Sequence, residues 1–233
     1  MKIRFGKPIL FYSKIVLGIL FACVIIRLFI GAPCTVPSDS MSPTILSGDR
    51  LWIDYTEYGA RLPQRFADIP VINAFTWIKP LREADRRNYW GENRMKGRRL
   101  PQIGDVVVFK SLESPNHLLV KRISKIKSAG DTLVVNANNY GMMENLIRNE
   151  GDHIIKKSGK VFINGKADSV YRVKQPCYFM KGDHADNSHD SRHFGFIPHS
   201  SIVGKIKFVM YSFDNNTISF SNIRINRCVK KIH

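Results

Sequence analysis

The stretch GDVVVFK, residues 104–110, carries the clearest strand signal in this chain of 233 residues. A run of β-branched and aromatic residues directly after a glycine–aspartate turn is typical of a buried strand. Similar short runs recur along the chain, each beside a turn signal: RLWIDY after Gly48-Asp49, DTLVVNA after Gly130, KVFINGK around Asn164-Gly165, and the run SIVGKIKFVMYSF. The pattern predicts a mostly β domain.

An apolar stretch precedes this domain. Residues 9–31 read ILFYSKIVLGILFACVIIRLFIG, about long enough to cross a bilayer, and Lys14 and Arg27 lie near its ends, where long side chains reach head groups. A cleavable secretory signal is the alternative, because residues 2–7 contain a basic cluster. The apolar run is longer than a usual signal-peptide core, and no small-x-small site follows before Ser38, which favours an uncleaved anchor.

The charges beside the apolar stretch predict the topology of the chain. Basic residues on its N-terminal side favour retention of that side in the cytoplasm. We therefore expect a cytoplasmic flank over residues 1–8, a transmembrane helix over residues 9–31 and an extracytoplasmic domain over residues 32–233. Long domains cross the membrane largely regardless of their own charge, so the basic character of this domain does not oppose the orientation.

The formal net charge of +17 indicates contact with polyanions or with anionic lipid head groups. No zinc-finger spacing, RNP-like aromatic segment or basic heptad array is present in the sequence, so we expect a membrane partner and no nucleic acid. Of the four cysteines, Cys23 lies in the apolar stretch, and no metal-ligand spacing is present. For Cys177 and Cys228, both a disulfide and two buried thiols remain open.

An insertion over residues 66–99 interrupts the strand pattern. Residues 66–81 are apolar and aromatic, and residues 82–99 are strongly basic. An aromatic segment beside clustered Arg and Lys suits the surface of an anionic bilayer. The alternative is an ordinary insertion whose apolar residues cover the core and whose charges are solvated.

Two segments contain residue types that hydrolytic chemistry needs. Residues 37–44 read PSDSMSPT, and a serine there becomes a nucleophile only if a neighbouring base accepts its proton. Residues 118–123 read LLVKRI, in which Lys121 and Arg122 point to opposite faces of a predicted strand. Burial lowers the pKa of a lysine because it disfavours the ammonium form, so a buried lysine is a candidate base.

A third segment, GDHADNSHDSR over residues 182–192, is dense in small polar residues. It is typical of a hydrogen-bonded loop that supports a site, with Asp190 and Arg192 as a charge pair. The alternative is a metal-binding loop built on His184, His189 and His193, although no second cluster of ligands is evident in the sequence. We therefore expect no metal and no cofactor.

These segments occur together, in the order found in bacterial type I signal peptidases, which are Ser/Lys endopeptidases. The motifs that resemble the family's boxes span nearly the whole chain: Ser38-x-Ser40-Met41-x-Pro43-Thr44, Gly48-Asp49 with Tyr58-Gly59, Gly104–Phe109, Lys121-Arg122, Gly182–Arg192, Phe213-Asp214, Ile223-Arg224 and Arg227. Two places depart from the family pattern. His184-Ala185 replaces the common Asn-Arg, and Ser124–Lys127 replaces a Gly-Pro-Gly turn.

The resemblance implies a role for each matched residue. Ser40 would be the nucleophile and Lys121 the general base, with the Ser40 amide and the Ser38 hydroxyl forming an oxyanion hole. Supporting residues would orient the lysine and hold its surroundings: Ser188, Asp190 and Arg192. Shallow pockets for small substrate residues would be lined by Val36, Pro37, Met41, Leu119 and Val120.

The implied protein is a monomer in the bacterial cytoplasmic membrane, with a mostly β peptidase domain that cleaves signal peptides from exported preproteins after Ala-x-Ala sites. A specialised peptidase for a conjugative pilin or one secretion substrate is the first alternative. A self-cleaving Ser/Lys repressor is the second, but it would need a helix-turn-helix region ahead of Ser38 instead of the apolar stretch. An inactive membrane scaffold is the third, if the altered His184-Ala185 loop fails to position Ser188.

Overall fold

A computed structural model describes residues 6–114, 117–214 and 222–232 of the chain, with side chains from Phe11 onward. The chain divides into two compact units. The first holds the residues up to Ala32 together with Asp54–Arg98, and the second holds Pro33–Ile53 and the residues from Arg99 onward. Residues 1–5 of the predicted cytoplasmic flank lie outside the described residues.

The first unit begins with helix α1, Gly6–Ile25, which continues as a π-helical turn, Ile26–Ile30. The segment Phe11–Ile30 has 20 residues and a mean hydropathy of 2.4, which is long and apolar enough to cross a membrane. The N-terminal helix predicted from the sequence is therefore present. The insertion contains two 3₁₀ segments, Phe66–Asp68 and Ile72–Trp77, followed by helix α2, Lys79–Arg87.

The second unit is built on an antiparallel sheet that contains the strands predicted for GDVVVFK and LLVKRI. The bounds of its strands are Gly31–Thr35 (β1), Asp49–Asp54 (β2), Val106–Lys110 (β3), Leu118–Lys127 (β4), Cys177–Lys181 (β10), Ile197–Pro198 (β11), Ile202–Ser212 (β12) and Lys230–Lys231 (β13). The order of strands across the sheet is β1, β2, β12, β3, β4, β10 and β11, and β13 pairs with β12. Val107 of β3 pairs with Lys121 of β4, and Arg122 of β4 pairs with Lys181 of β10.

A cluster of buried apolar side chains lies in the same unit, where helix α3, Tyr140–Asn149, packs with two small sheets. One sheet contains strands β5 (Thr132–Val134) and β9 (Val170–Arg172), and the other contains strands β6 (Ile154–Lys157), β7 (Lys160–Ile163) and β8 (Lys166–Ala167). The predicted hairpin is confirmed, since Asn164 and Gly165 both have positive φ between β7 and β8. A short helix α4 spans Ser191–Phe194.

Two points that the sequence left open have an answer in the fold. Strand β4 continues through Ser124–Lys127, and the chain then turns where the amide of Ser128 donates to the carboxylate of Asp131 at 2.9 Å. Residues 124–127 therefore form the end of strand β4 and not a turn. Cys177 and Cys228 are both free thiols.

Candidate active site

Strand β4 carries Lys121 into the interior of the second unit. Alternation along the strand places Lys121 on the buried face, where only 3% of its surface is exposed. Its Nζ lies 2.7 Å from Ser40 Oγ and 3.0 Å from Ser188 Oγ. Three residues from three separate segments of sequence therefore meet at one amine.

Ser40 lies in the loop between β1 and β2, and hydrogen bonds within the loop hold it in place. The amide of Ile45 donates to the carbonyl of Met41 at 2.9 Å, and the amide of Ser47 donates to the carboxylate of Asp39, also at 2.9 Å. The hydroxyls of Ser38 and Ser40 are 3.4 Å apart, so both face the same side of the loop. The predicted oxyanion donors thus lie beside the predicted nucleophile.

Burial lowers the pKa of Lys121 below the ordinary value of a lysine. The nearby charge of Asp190 acts in the opposite direction, while that of Arg192 adds to the lowering. A lower pKa increases the fraction of neutral amine, and only the neutral amine has a lone pair that accepts a proton. The environment of Lys121 therefore suits a general base.

Asp190 is fully buried and accepts hydrogen bonds from three surrounding residues. The hydroxyl of Ser188 and the amide of Gly182 each donate at 3.0 Å, and Arg192 donates from Nε at 2.9 Å, from Nη2 at 3.0 Å and from its amide at 3.1 Å. Burial alone would raise the pKa of Asp190, but these hydrogen bonds hold it well below its usual range. The carboxylate stays ionised and fixes the Ser188 hydroxyl that contacts Lys121.

An ion pair that the sequence did not reveal lies directly behind the site. Arg122 donates from Nε and Nη2 to the two carboxylate oxygens of Asp183, each at 2.8 Å, on the opposite face of β4 from Lys121. Asp183 follows Gly182, so the pair attaches β4 to the loop that carries Ser188. The alternation of Lys121 and Arg122 predicted where Arg122 points, but no local sequence pattern indicated its partner.

A second missed pair fixes the loop of Ser40 from the C-terminal end of the chain. Arg227 donates to the carboxylate of Asp49 from Nε at 3.0 Å and to the carbonyl of Thr44 from Nη2 at 3.0 Å. Both side chains are buried. Asp49 and Arg227 belong to two separate motifs of the family resemblance, and they are 178 residues apart, so the sequence did not reveal their contact.

The residues predicted to line substrate pockets differ in accessibility. Val36 is buried and Met41 is fully buried. Leu119 and Val120 are half-buried, and Pro37 is exposed. Of this set, Pro37, Leu119 and Val120 have side chains open to a ligand, and the role of all five stays a prediction.

His189 contacts both His193 and a nearby carboxylate. The rings of His189 and His193 stack with their centroids 4.9 Å apart, and His189 Nε2 lies 3.8 Å from the carboxylate of Glu113. Across residues 6–114, 117–214 and 222–232, no group of three or more His, Cys, Asp or Glu side chains is arranged to hold a metal ion.

Fold, site and comparisons with known proteins together define the class of this chain: it is a peptidase, and hence a hydrolase. The family model described as "Signal peptidase, peptidase S26" matches residues 9–211. The chain belongs to this family.

Several bacterial proteins named signal peptidase I resemble this chain over most of its length. The protein from Pseudomonas aeruginosa is 28% identical, with 89% of this chain and 74% of that protein covered. Those from Buchnera aphidicola subsp. Schizaphis graminum and Rickettsia typhi are each 27% identical, covering 89% and 81% of this chain and 77% and 75% of the relatives. Among solved structures, a signal peptidase I from Enterococcus faecalis V583 matches 46% of this chain and 97% of its own, at 19% identity and a TM-score of 0.24.

Proposed function

We propose that this chain is a membrane-bound endopeptidase that removes signal peptides from exported preproteins after Ala-x-Ala sites. In this proposal Ser40 is the nucleophile and Lys121 is the general base. The observation that carries it is the 2.7 Å approach of a buried lysine amine to a serine hydroxyl. The family assignment and the relatives named signal peptidase I support the substrate class.

The proposed reaction begins with proton transfer from Ser40 Oγ to the neutral amine of Lys121 as Oγ attacks the scissile carbonyl carbon. The carbonyl oxygen becomes an oxyanion that accepts hydrogen bonds from the Ser40 amide and the Ser38 hydroxyl. The C–N bond then breaks, and Lys121 returns its proton to the leaving amine. The products of this half-reaction are the released mature protein and an acyl-enzyme on Ser40.

Water completes the cycle in the second half-reaction. Lys121 accepts a proton from the water as its oxygen attacks the ester, and the proton passes to Ser40 Oγ when the ester bond breaks. Ser188 accepts a hydrogen bond from the amine at 3.0 Å and donates to Asp190 at 3.0 Å, which limits rotation of the amine during both steps. No cofactor takes part in this scheme.

We also propose that the helix Phe11–Ile30 anchors the enzyme in the cytoplasmic membrane, with the N-terminus inside and the peptidase domain on the outer face. The hydropathy of the helix and the basic residues before it support this topology. Pockets that admit only small side chains would then select the residues before the cleavage site. A monomer suffices, because the proposed catalytic groups all come from one chain.

Cleavage of a model preprotein with an Ala-x-Ala site, carried out in detergent micelles, tests the proposal. We expect wild type to cut once after this site, and Ser40→Ala and Lys121→Ala each to lower the rate by about 10³-fold or more. Lys125→Ala is the matched control, since Lys125 is an exposed lysine of the same strand and its loss should leave cleavage unchanged.

Each result of this experiment has a clear meaning. Substantial cleavage by Lys121→Ala would refute the assignment of the base. Failure of wild type to cut the Ala-x-Ala substrate, with a folded protein in the micelles, would refute the general signal peptidase proposal. It would then favour a peptidase restricted to one substrate or an inactive scaffold.

A further inference from the structure

Residues 55–60 and 95–98, which we call the neck, connect the insertion to the apolar helix within the first unit. The amide of Tyr55 donates to the carbonyl of Ile30, the last residue of the candidate span, at 2.9 Å. Beyond Tyr55, the amide of Arg98 donates to the carbonyl of Thr56 at 3.3 Å, so the chain leaves and returns at one place. Close packing reinforces the neck, since a Cβ on Gly59 would overlap the carbonyl of Met95. The insertion therefore starts and ends beside one end of the helix.

Residues 61–98 expose large apolar side chains to solvent. Trp77 is 79% exposed and Phe75 is 56% exposed. Other apolar or aromatic side chains of the segment are also exposed: Phe66, Val71, Ile72, Ile78, Leu81, Tyr89, Trp90 and Met95. These side chains do not cover a core, which was the alternative to a bilayer surface for this segment. So many exposed apolar side chains in one segment indicate a binding face, and Trp is enriched where a membrane meets water.

Basic side chains lie directly beside this apolar surface. Helix α2 follows Trp77 by two residues and exposes Lys79, Arg82 and Arg86, which are spaced three and four residues apart and so share one side of the helix. The only carboxylate buried in α2 is that of Asp85, which accepts a hydrogen bond from the amide of Ala67 at 3.3 Å and so attaches the helix to the preceding 3₁₀ turn. Asp85 is therefore buried at this attachment, whereas the three basic side chains are exposed.

We propose that residues 61–98 form an interfacial membrane-binding segment, which inserts Phe75 and Trp77 among the lipids while Lys79, Arg82 and Arg86 contact anionic phospholipid head groups. The bilayer it binds is the one that helix α1 spans, on the side where Ile30 emerges. An anionic bilayer fits better than a protein partner because the hydrogen bond between Tyr55 and Ile30 already holds the neck at the membrane surface. Binding by aromatic insertion plus basic contacts is the usual mode of interfacial segments. This inference rests on the membrane anchor proposed above and is independent of the proposed substrate.

The test uses the full chain reconstituted through its helix into vesicles of phosphatidylcholine, with or without phosphatidylglycerol. Subtracting the tryptophan fluorescence of Trp77→Phe from that of wild type isolates the emission of Trp77 from that of Trp52 and Trp90. We expect the Trp77 emission to shift to shorter wavelength and to be quenched by lipids brominated near the head group, more strongly when phosphatidylglycerol is present. Raising the salt to about 1 M, where the Debye length is about 3 Å, should weaken the dependence on phosphatidylglycerol.

Charge variants distinguish this segment from the general basicity of the protein. The triple variant Lys79→Gln, Arg82→Gln, Arg86→Gln should lose the increase in quenching caused by phosphatidylglycerol. The matched control Lys157→Gln, Lys160→Gln, Lys166→Gln removes three exposed charges from the β6–β8 sheet and should keep it. Trp77 emission that stays water-like and unquenched in anionic vesicles would overturn the proposal. The proposal would also be overturned if Trp77 became shielded from water only when other membrane proteins are added, because the surface would then be a protein interface.

Discussion

Gly182 packs against Ser188 so closely that no side chain fits between them. A Cβ on Gly182 would overlap Ser188 Oγ and would lie 2.5 Å from the carbonyl oxygen of Ser40. The same glycine donates its amide to Asp190 at 3.0 Å. Glycine is therefore required at this position because there is no space for a side chain, and not because of an unusual backbone conformation.

Gly182→Ala should displace Ser188 and the Ser40 backbone and so disturb the geometry around Lys121. A displacement of about 1 Å costs about 10²-fold in rate, so we expect kcat for preprotein cleavage to fall by about that factor. Gly141→Ala is the control: this glycine of α3 has open space around it, and alanine stabilises a helix by about 0.5–1 kcal/mol relative to glycine. Equal rates for Gly182→Ala and wild type would contradict the proposed role of Ser188.

The pH dependence of cleavage should report the lowered pKa of Lys121. Activity should increase as the pH rises through this pKa, because the neutral amine is the active form. Arg192 contributes to the lowering, so Arg192→Gln should raise the pKa and move the rising limb of kcat/KM to higher pH. Arg148→Gln, which removes an exposed arginine of α3, should leave the limb in place. A limb that moves to lower pH in Arg192→Gln would show that another group controls the profile.

Removal of the Ser38 hydroxyl should slow cleavage without abolishing it. If this hydroxyl donates to the oxyanion, Ser38→Ala should cost about 3–4 kcal/mol of transition-state stabilisation, which is about 10²–10³-fold in kcat. Ser38→Thr keeps a hydroxyl and should retain much more activity. A fall in kcat/KM that comes entirely from KM would instead indicate that Ser38 contributes to substrate binding alone.

The buried pair of Asp49 and Arg227 should matter for stability. Arg227→Ala leaves the carboxylate of Asp49 buried without its partner, and losses of this kind cost about 3–5 kcal/mol. We expect a corresponding decrease in the free energy of unfolding, measured by chemical denaturation in micelles. Arg148→Ala breaks an exposed pair with Glu144 and should change little. If the two variants unfold alike, the pair with Asp49 does not stabilise the fold.

Thiol reagents should not inhibit the enzyme. Burial raises the pKa of the Cys177 thiol to about 12, so little reactive thiolate is present at neutral pH. We expect Cys177 to stay unlabelled by N-ethylmaleimide over the time of an assay, and we expect the cleavage rate to stay unchanged. Inactivation that Cys177→Ser prevents would show that this thiol is accessible and close to the active groups.

The sequence predicted the strands of the main sheet well. GDVVVFK became the buried strand β3, and Asn164-Gly165 became a hairpin turn, because both signals depend on residues that are adjacent in the chain. It also predicted the apolar helix, whose signal is simply length and composition. The same local reasoning failed to reveal the partner of Arg122, since Asp183 is 61 residues away.

The order of motifs by itself determined the family resemblance and the candidate pair Ser40 and Lys121. Only the tertiary structure decided that these two side chains lie 2.7 Å apart, that the lysine is buried and that Ser188 and Asp190 hold it. The physical reason is that a pKa and a proton transfer depend on distances and solvent exposure. Those quantities are fixed only when strand pairing brings segments 81 and 67 residues apart into contact.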